Sequence, residues 1–210
     1  YYLEVIRTTM YKERDVETLW EKYSKLLERL NDENVSNLIT SMDQRILMSS
    51  FSQREKEPFC GIGGNVEYSL ELAKKANTLN KAFEYDLSKA SIIKCALLSI
   101  LGRVGTLTIN RYVETTSEWH KEKLGQYYDW NEDCPKYQIN DMTLFLLQFY
   151  NVKLTWEEWN AISLIKDMTS EDNKFYNLHK SRMALILQLA HEAVMKDEKD
   201  KIDGVFKVPF

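Results

Sequence analysis

The stretch Leu87–Gly105, LSKASIIKCALLSILGRVG, constrains this chain more than any other. Ile92, Ile93, Ala96, Leu97, Ile100 and Leu101 make it apolar on more than one face. A helix without a polar stripe belongs inside a bundle, because no side of it prefers water. Asp86 or Ser88 can cap its start, and Gly102 and Gly105 can end it. Such a helix needs amphipathic neighbours to enclose it.

The rest of the chain supplies them. After Asp15, a cap candidate, Leu19, Trp20, Tyr23, Leu26, Leu27 and Leu30 recur at helical spacing. Leu38, Ile39, Met42, Ile46 and Leu47 share one face of a second helix. Gly61, Gly63 and Gly64 give a sharp entry to a third, with Asn65 free to cap its amides. That helix turns Val66, Ser69, Leu70, Leu72, Ala73, Ala76, Leu79 and Phe83 inward. Asp141–Tyr150 reads as a short helix. Thr155-Trp156-Glu157-Glu158 is a capping box that opens another, to about Ile165. His179 or Ser181 starts the last, with Met183, Leu185, Ile186, Leu189, Ala190 and Val194 periodic.

These elements predict an all-α bundle with a long aromatic-rich loop. The simplest division is a lead-in over 1–14, one helical domain over 15–196, and a charged, then apolar, tail over 197–210. The lead-in allows a short strand, and the tail is expected to fray after Lys196. Asp167–Asn177 reads as a polar loop. Seven Gly and three Pro in 210 residues disfavour a many-turned β fold.

A formal charge of -4, with both signs interspersed, lacks the basic footprint of a nucleic-acid binder. Cys60, Cys95 and Cys134 are odd in number and without Cys-x-x-Cys spacing. They predict free thiols in a reducing compartment, hence a cytoplasmic location, and neither disulfides nor a zinc site. No apolar run approaches the ~20 residues that span a bilayer, so no membrane is expected. The glycines around Gly61 fail the G-x-G-x-x-G spacing and follow no strand, which argues against a dinucleotide site.

Thr106–Asn140 shows no clear periodicity yet is rich in aromatics. Trp119, Tyr127, Tyr128 and Trp130 are the interaction candidates there, since long connections of this kind are often covered by a partner. Trp156 and Trp159, beside the capping box, suggest core or interface anchoring.

Several separated segments carry a family likeness. Gly63-Gly64-Asn65-Val66-Glu67-Tyr68-Ser69, Ala96-Leu97-Leu98-Ser99-Ile100-Leu101-Gly102-Arg103-Val104-Gly105, the stretch around Ser117-Glu118-Trp119-His120, Leu146–Thr155 and Leu187-Gln188-Leu189-Ala190-His191 follow in order. Together, over about Pro58 to Lys196, they resemble the HD-domain metal-dependent phosphohydrolases, and most closely HD-domain proteins of large tailed bacteriophages. The resemblance implies a helical fold around a divalent-metal site held by His and Asp. It would also make the protein phage-encoded, acting in the host cytoplasm.

At the ligand positions the resemblance implies, this chain carries Tyr68, Ser99, Ile100 and His191 in place of His, His, Asp and Asp. An aliphatic side chain cannot coordinate a metal, and one imidazole does not hold a catalytic ion. The chain is therefore read as a pseudo-phosphohydrolase without metal or cofactor, a protein-interaction or structural component that binds a protein partner or itself. Tyr68, Ser99, Arg103, Lys166 and His191 are expected around the relict pocket, either as a hydrogen-bonded polar plug or as a metal-free nucleotide or phosphate site. A second alternative is an active phosphohydrolase or nuclease with rearranged ligands, using His191, His120 and Asp167, Glu171 or Asp172.

Overall fold

The computed structural model describes residues 14–165 and 179–204. Among them are eight α-helices and one two-stranded sheet, so the all-α class holds at that level. In chain order these are α1 (Val16–Glu28), α2 (Glu33–Met48), α3 (Gly64–Ala82), α4 (Lys89–Leu98), a 3-10 turn (Leu101–Arg103), β1 (Tyr112–Glu114), α5 (Glu118–Leu124), β2 (Tyr128–Trp130), α6 (Ile139–Phe149), α7 (Trp156–Leu164) and α8 (Arg182–Ile202). The lead-in 1–13, Lys166, the loop 167–177 and the apolar end 205–210 lie outside the described residues.

Helix α4 takes the central place its composition demands. Ile92, Cys95, Ala96, Leu97 and Leu98 are at most 1% exposed. Each buried aliphatic side chain there contributes about 2 kcal/mol of apolar transfer. Helices α1, α3 and α7 pack around α4, and α8 lies across α3 and α7. Tyr23 of α1 is buried with them and donates its hydroxyl to the Leu97 carbonyl at 2.9 Å, so its one polar atom is satisfied.

The helix starts follow from local chemistry. Asp15, Asp32, Ser88 and Ser181 each accept a first-turn amide. At α7 the capping box is complete: Thr155 accepts from the Glu158 amide and Glu158 accepts from the Thr155 amide. The Glu158 carboxylate is buried and also receives Lys94 Nζ at 3.0 Å, tying α7 to α4. Cys60, Cys95 and Cys134 are free thiols, all buried.

Four expectations need correction. Asn65 does not cap α3: Gly63, at φ 75°, already turns the chain, and Asn65 is buried with its Nδ2 donating to Ser49 Oγ at 2.8 Å. Phe83 is not inward; it sits past the last turn of α3 and is exposed. The chain after Lys196 does not fray at once, because α8 runs to Ile202, braced by Lys196–Asp200, Lys199–Asp203 and Lys75–Asp197 ion pairs.

The fourth correction concerns Thr106–Asn140, which is not a bare loop. Strands β1 and β2 pair antiparallel, with Tyr112 opposite Trp130, Val113 opposite Asp129 and Glu114 opposite Tyr128. Helix α5 lies between them, opened by Ser117 and closed by Gly125 in the left-handed region. The strands hold three residues each and α5 buries none, so no apolar period marked them. Among the described residues, no helix is long and apolar enough to cross a membrane.

Candidate functional site

Three of the five residues expected around a relict pocket meet at one place. Tyr68 comes from the buried face of α3, Arg103 from the end of the 3-10 turn and His191 from the middle of α8. The Tyr68 hydroxyl is hydrogen-bonded to His191 Nδ1 at 2.7 Å. The two rings meet edge to face, centroids 5.8 Å apart. Phe51, in the segment between α2 and α3, lies tilted against Tyr68 with ring centroids 4.5 Å apart, and Phe59 meets the same ring edge-on at 5.5 Å.

Arg103 extends this stack. Its guanidinium carbon lies 3.7 Å from the centroid of Phe51, and its Nη1 donates to the Phe51 carbonyl at 2.5 Å. A cation over an aromatic face is attracted by the ring quadrupole, more so where water is excluded. The order Arg103, Phe51, Tyr68, His191 thus forms one continuous column of side chains.

Little space remains inside it. The cavity lined by Tyr68, Arg103 and His191 together with Phe51, Ile100 and Ile165 holds about 10 Å³. A single water needs roughly 10–15 Å³ on this measure. The arrangement is therefore a filled, hydrogen-bonded plug. Tyr68 is 1% exposed. Burial pushes its phenol well above its ordinary pKa, with the Arg103 charge opposing weakly, so it stays neutral at physiological pH.

Ser99 does not join this group. It is fully buried, its hydroxyl turns back to the Ala96 carbonyl, and its own carbonyl accepts from Thr143 Oγ1 at 3.2 Å. Lys166, and the carboxylates Asp167, Glu171 and Asp172, lie outside the described residues. His120 is half-buried on α5 beside Trp119, and His179 is exposed ahead of α8.

Among the described residues, those at the expected ligand positions do not fit a divalent ion. Tyr68 is held neutral, Ile100 has no donor atom, and His191 Nδ1 is engaged by Tyr68. Among the described residues, no group of three or more His, Cys, Asp or Glu side chains is placed to hold a metal. The chain matches no family model, no curated protein and no solved structure.

The four interaction candidates divide. Trp119 is 59% exposed. Tyr128 is buried at the start of β2, while Trp130 donates its indole N–H to the Cys134 carbonyl and carries Arg111 over its ring at 4.6 Å. Tyr127 is half-buried and bonded through its backbone to Gln53 and Thr115. Tyr127, Tyr128 and Trp130 therefore hold the β-ribbon against the domain.

Besides Trp119, some aromatics outside that segment are exposed. Phe145 and Phe149 stand one turn apart on α6, 47% and 55% exposed. Trp156 and Trp159 stack at 5.1 Å on α7, and Trp156 is 67% exposed. The signal for the phenylalanines was in the sequence: Leu144–Tyr150 is too apolar for one buried face of a short helix.

Proposed function

We propose that this chain is a non-catalytic, HD-like helical domain that works by binding a protein partner or a second copy of itself. One observation carries the reading: the Tyr68–His191 pair, with Phe51 and Arg103 stacked behind it, fills the space where a metal-dependent hydrolase would hold its ion and substrate. Phosphoryl transfer assisted by a metal needs ligands that converge on an open coordination position. Here side chains that bond one another occupy that volume.

The binding half of the proposal is supported by the exposed aromatic pairs on α6 and α7. Exposed Phe and Trp side chains in pairs are more typical of contact surfaces than of water-facing helices. A nucleotide seated among Tyr68, Ser99, Arg103 and His191 is not favoured, since the cavity there is no larger than about one water and Ser99 does not line it. The resemblance carries the further suggestion of a phage-encoded protein acting in a host cytoplasm.

The test is a panel of phosphomonoesters and phosphodiesters with Mn²⁺ or Mg²⁺ added. The proposal expects no turnover above the buffer. Turnover that His191→Ala abolishes while the protein stays folded would overturn it.

A further inference from the structure

Arg103 lines a second cavity, of about 50 Å³, that shares no other residue with the first. Its walls come from the end of α2, the segment that follows, the turn after α4 and the ends of the β-ribbon. Arg45, Ser49, Ser50, Asn110, Tyr112 and Tyr128 are its other polar lining residues, and no Asp or Glu of the described residues lines it.

The hydrogen bonds around this cavity are incomplete in one particular way. Seven buried side-chain polar atoms of the described residues lack a partner, and four of the seven are guanidinium nitrogens: Arg45 Nη2, Arg103 Nε, and Arg111 Nε and Nη1. The other arms of the two lining arginines are used to fix them. Arg45 donates Nε to Asn110 Oδ1 and Nη1 to the Leu107 carbonyl, both at 2.7 Å. Arg103, only 7% exposed, donates Nη1 to the Phe51 carbonyl and rests on the Phe51 ring. Arg111, between Asn110 and Tyr112 in the chain, is held over Trp130.

Buried guanidinium groups normally face a carboxylate or a full set of acceptors. Here no Asp or Glu of the described residues lines the cavity. Desolvation pushes the Arg103 pKa down to about 10; the charge of Arg111 adds to that lowering, while Tyr112, Tyr68 and the Glu57 carboxylate oppose it. At neutral pH Arg103 therefore keeps its charge. Anchored cations, unused N–H groups and no lining carboxylate make a preorganised anion receptor.

We propose that this cavity binds one small tetrahedral oxyanion of the phosphate class, held by Arg45 Nη2 and Arg103 Nε. Its size admits a single phosphoryl group, so any larger ligand would keep its remainder outside. Free phosphate and the end of a phosphomonoester present the same chemistry here. The site does not depend on the loss of catalysis proposed above.

The full chain is titrated with inorganic phosphate and, separately, with adenosine 5′-monophosphate, against chloride at equal ionic strength. Thermal unfolding and phosphorus NMR line width are the readouts. At ten times the Kd, Tm should rise by about 4 °C. Arg45→Gln should weaken binding at least about tenfold, as loss of a charge-assisted contact does. Arg103→Lys keeps the charge but loses the fork, and should weaken binding too; if it does not fold, Arg45→Gln decides alone. Tighter binding of the nucleotide assigns the site to a phosphomonoester, and equal or weaker binding assigns it to the free ion. No response to either probe up to about 20 mM, far weaker than a built site should bind, overturns the proposal. So does full binding by Arg45→Gln, and either result leaves the cavity to ordered water.

Discussion

The Tyr68 hydroxyl sits 2.7 Å from His191 Nδ1 and joins α3 to α8 across the heart of the candidate site. The same two helices are linked again about two turns further along by Lys75 and Asp197 at 2.7 Å. The first link is enclosed by Phe51, Phe59 and Arg103, while the second is partly open to solvent. Their energetic weights should therefore differ, because exposed ion pairs contribute little.

Tyr68→Phe keeps the ring against Phe51 and Phe59 and removes only the hydroxyl. It should cost about 1 kcal/mol, the usual net value of one buried hydrogen bond. Tyr68→Ala should cost about 4 kcal/mol, since it also leaves a cavity. Urea unfolding measures both. Equal costs for the two variants would mean that the aromatic column adds nothing beyond the hydrogen bond.

Alkaline pH should unfold this protein through its buried phenols. Burial holds Tyr23 and Tyr68 neutral, far above the ordinary tyrosine value of 10. The unfolded chain releases these protons near pH 10 while the folded chain keeps them, so folding is favoured fully below pH 10 and progressively less above it. Arg103, lowered to about 10, and Arg45, also lowered by burial, act with the opposite sign, but against four raised phenols, Tyr23, Tyr68, Tyr128 and Tyr137. The urea midpoint should drop clearly between pH 9 and pH 11. A flat profile would show that these phenols reach water.

Gly102→Ala should be among the most damaging single changes. A Cβ there would lie 2.2 Å from the Ile139 carbonyl oxygen, at the junction of the 3-10 turn with α6. The backbone at this point is also tied down: the Gly102 amide donates to Thr143 Oγ1 and its carbonyl accepts from Tyr137. Overpacking against fixed backbone costs about 3 kcal/mol. Differential scanning calorimetry should show a large fall in Tm, and an unchanged Tm would mean that α6 can move away freely.

That glycine also marks the limit of what the sequence revealed. Its role as a helix stop could be read from its place after an apolar run, whereas the close approach of α6 could not, because it depends on a partner 37 positions away. The main helices were legible because each buries a stripe with period 3.6, and Asp15, Ser88, Thr155 and Ser181 mark their starts. The β-ribbon was invisible, since its pairing is set by Arg111, Trp130 and Gln53 contacts and not by a pattern along the chain. At the site, Tyr68, Arg103 and His191 were foreseen together. Phe51 was not, because it lies in a loop without period and is defined only by the rings it stacks on. The arginine cavity was missed for the same reason: Arg45, Arg103 and Arg111 are spread over α2, a turn and a ribbon.

The aromatic pairs on α6 and α7 should matter for association and not for folding. Phe149→Ser and Trp156→Ser remove exposed side chains, so each should change stability by no more than about 0.5 kcal/mol. Sedimentation velocity should show a wild-type coefficient that rises with protein concentration and a double variant whose coefficient does not. A wild type that stays monomeric throughout would remove self-association and leave a different chain as the partner.

The most direct test of the proposed non-catalytic, metal-free reading is the metal content of the purified full chain after equilibration with Mn²⁺, Fe²⁺, Ni²⁺, Zn²⁺ and Mg²⁺. The account predicts far less than one equivalent of any of them, unchanged by His191→Ala. One tightly held ion per chain that His191→Ala releases would contradict it.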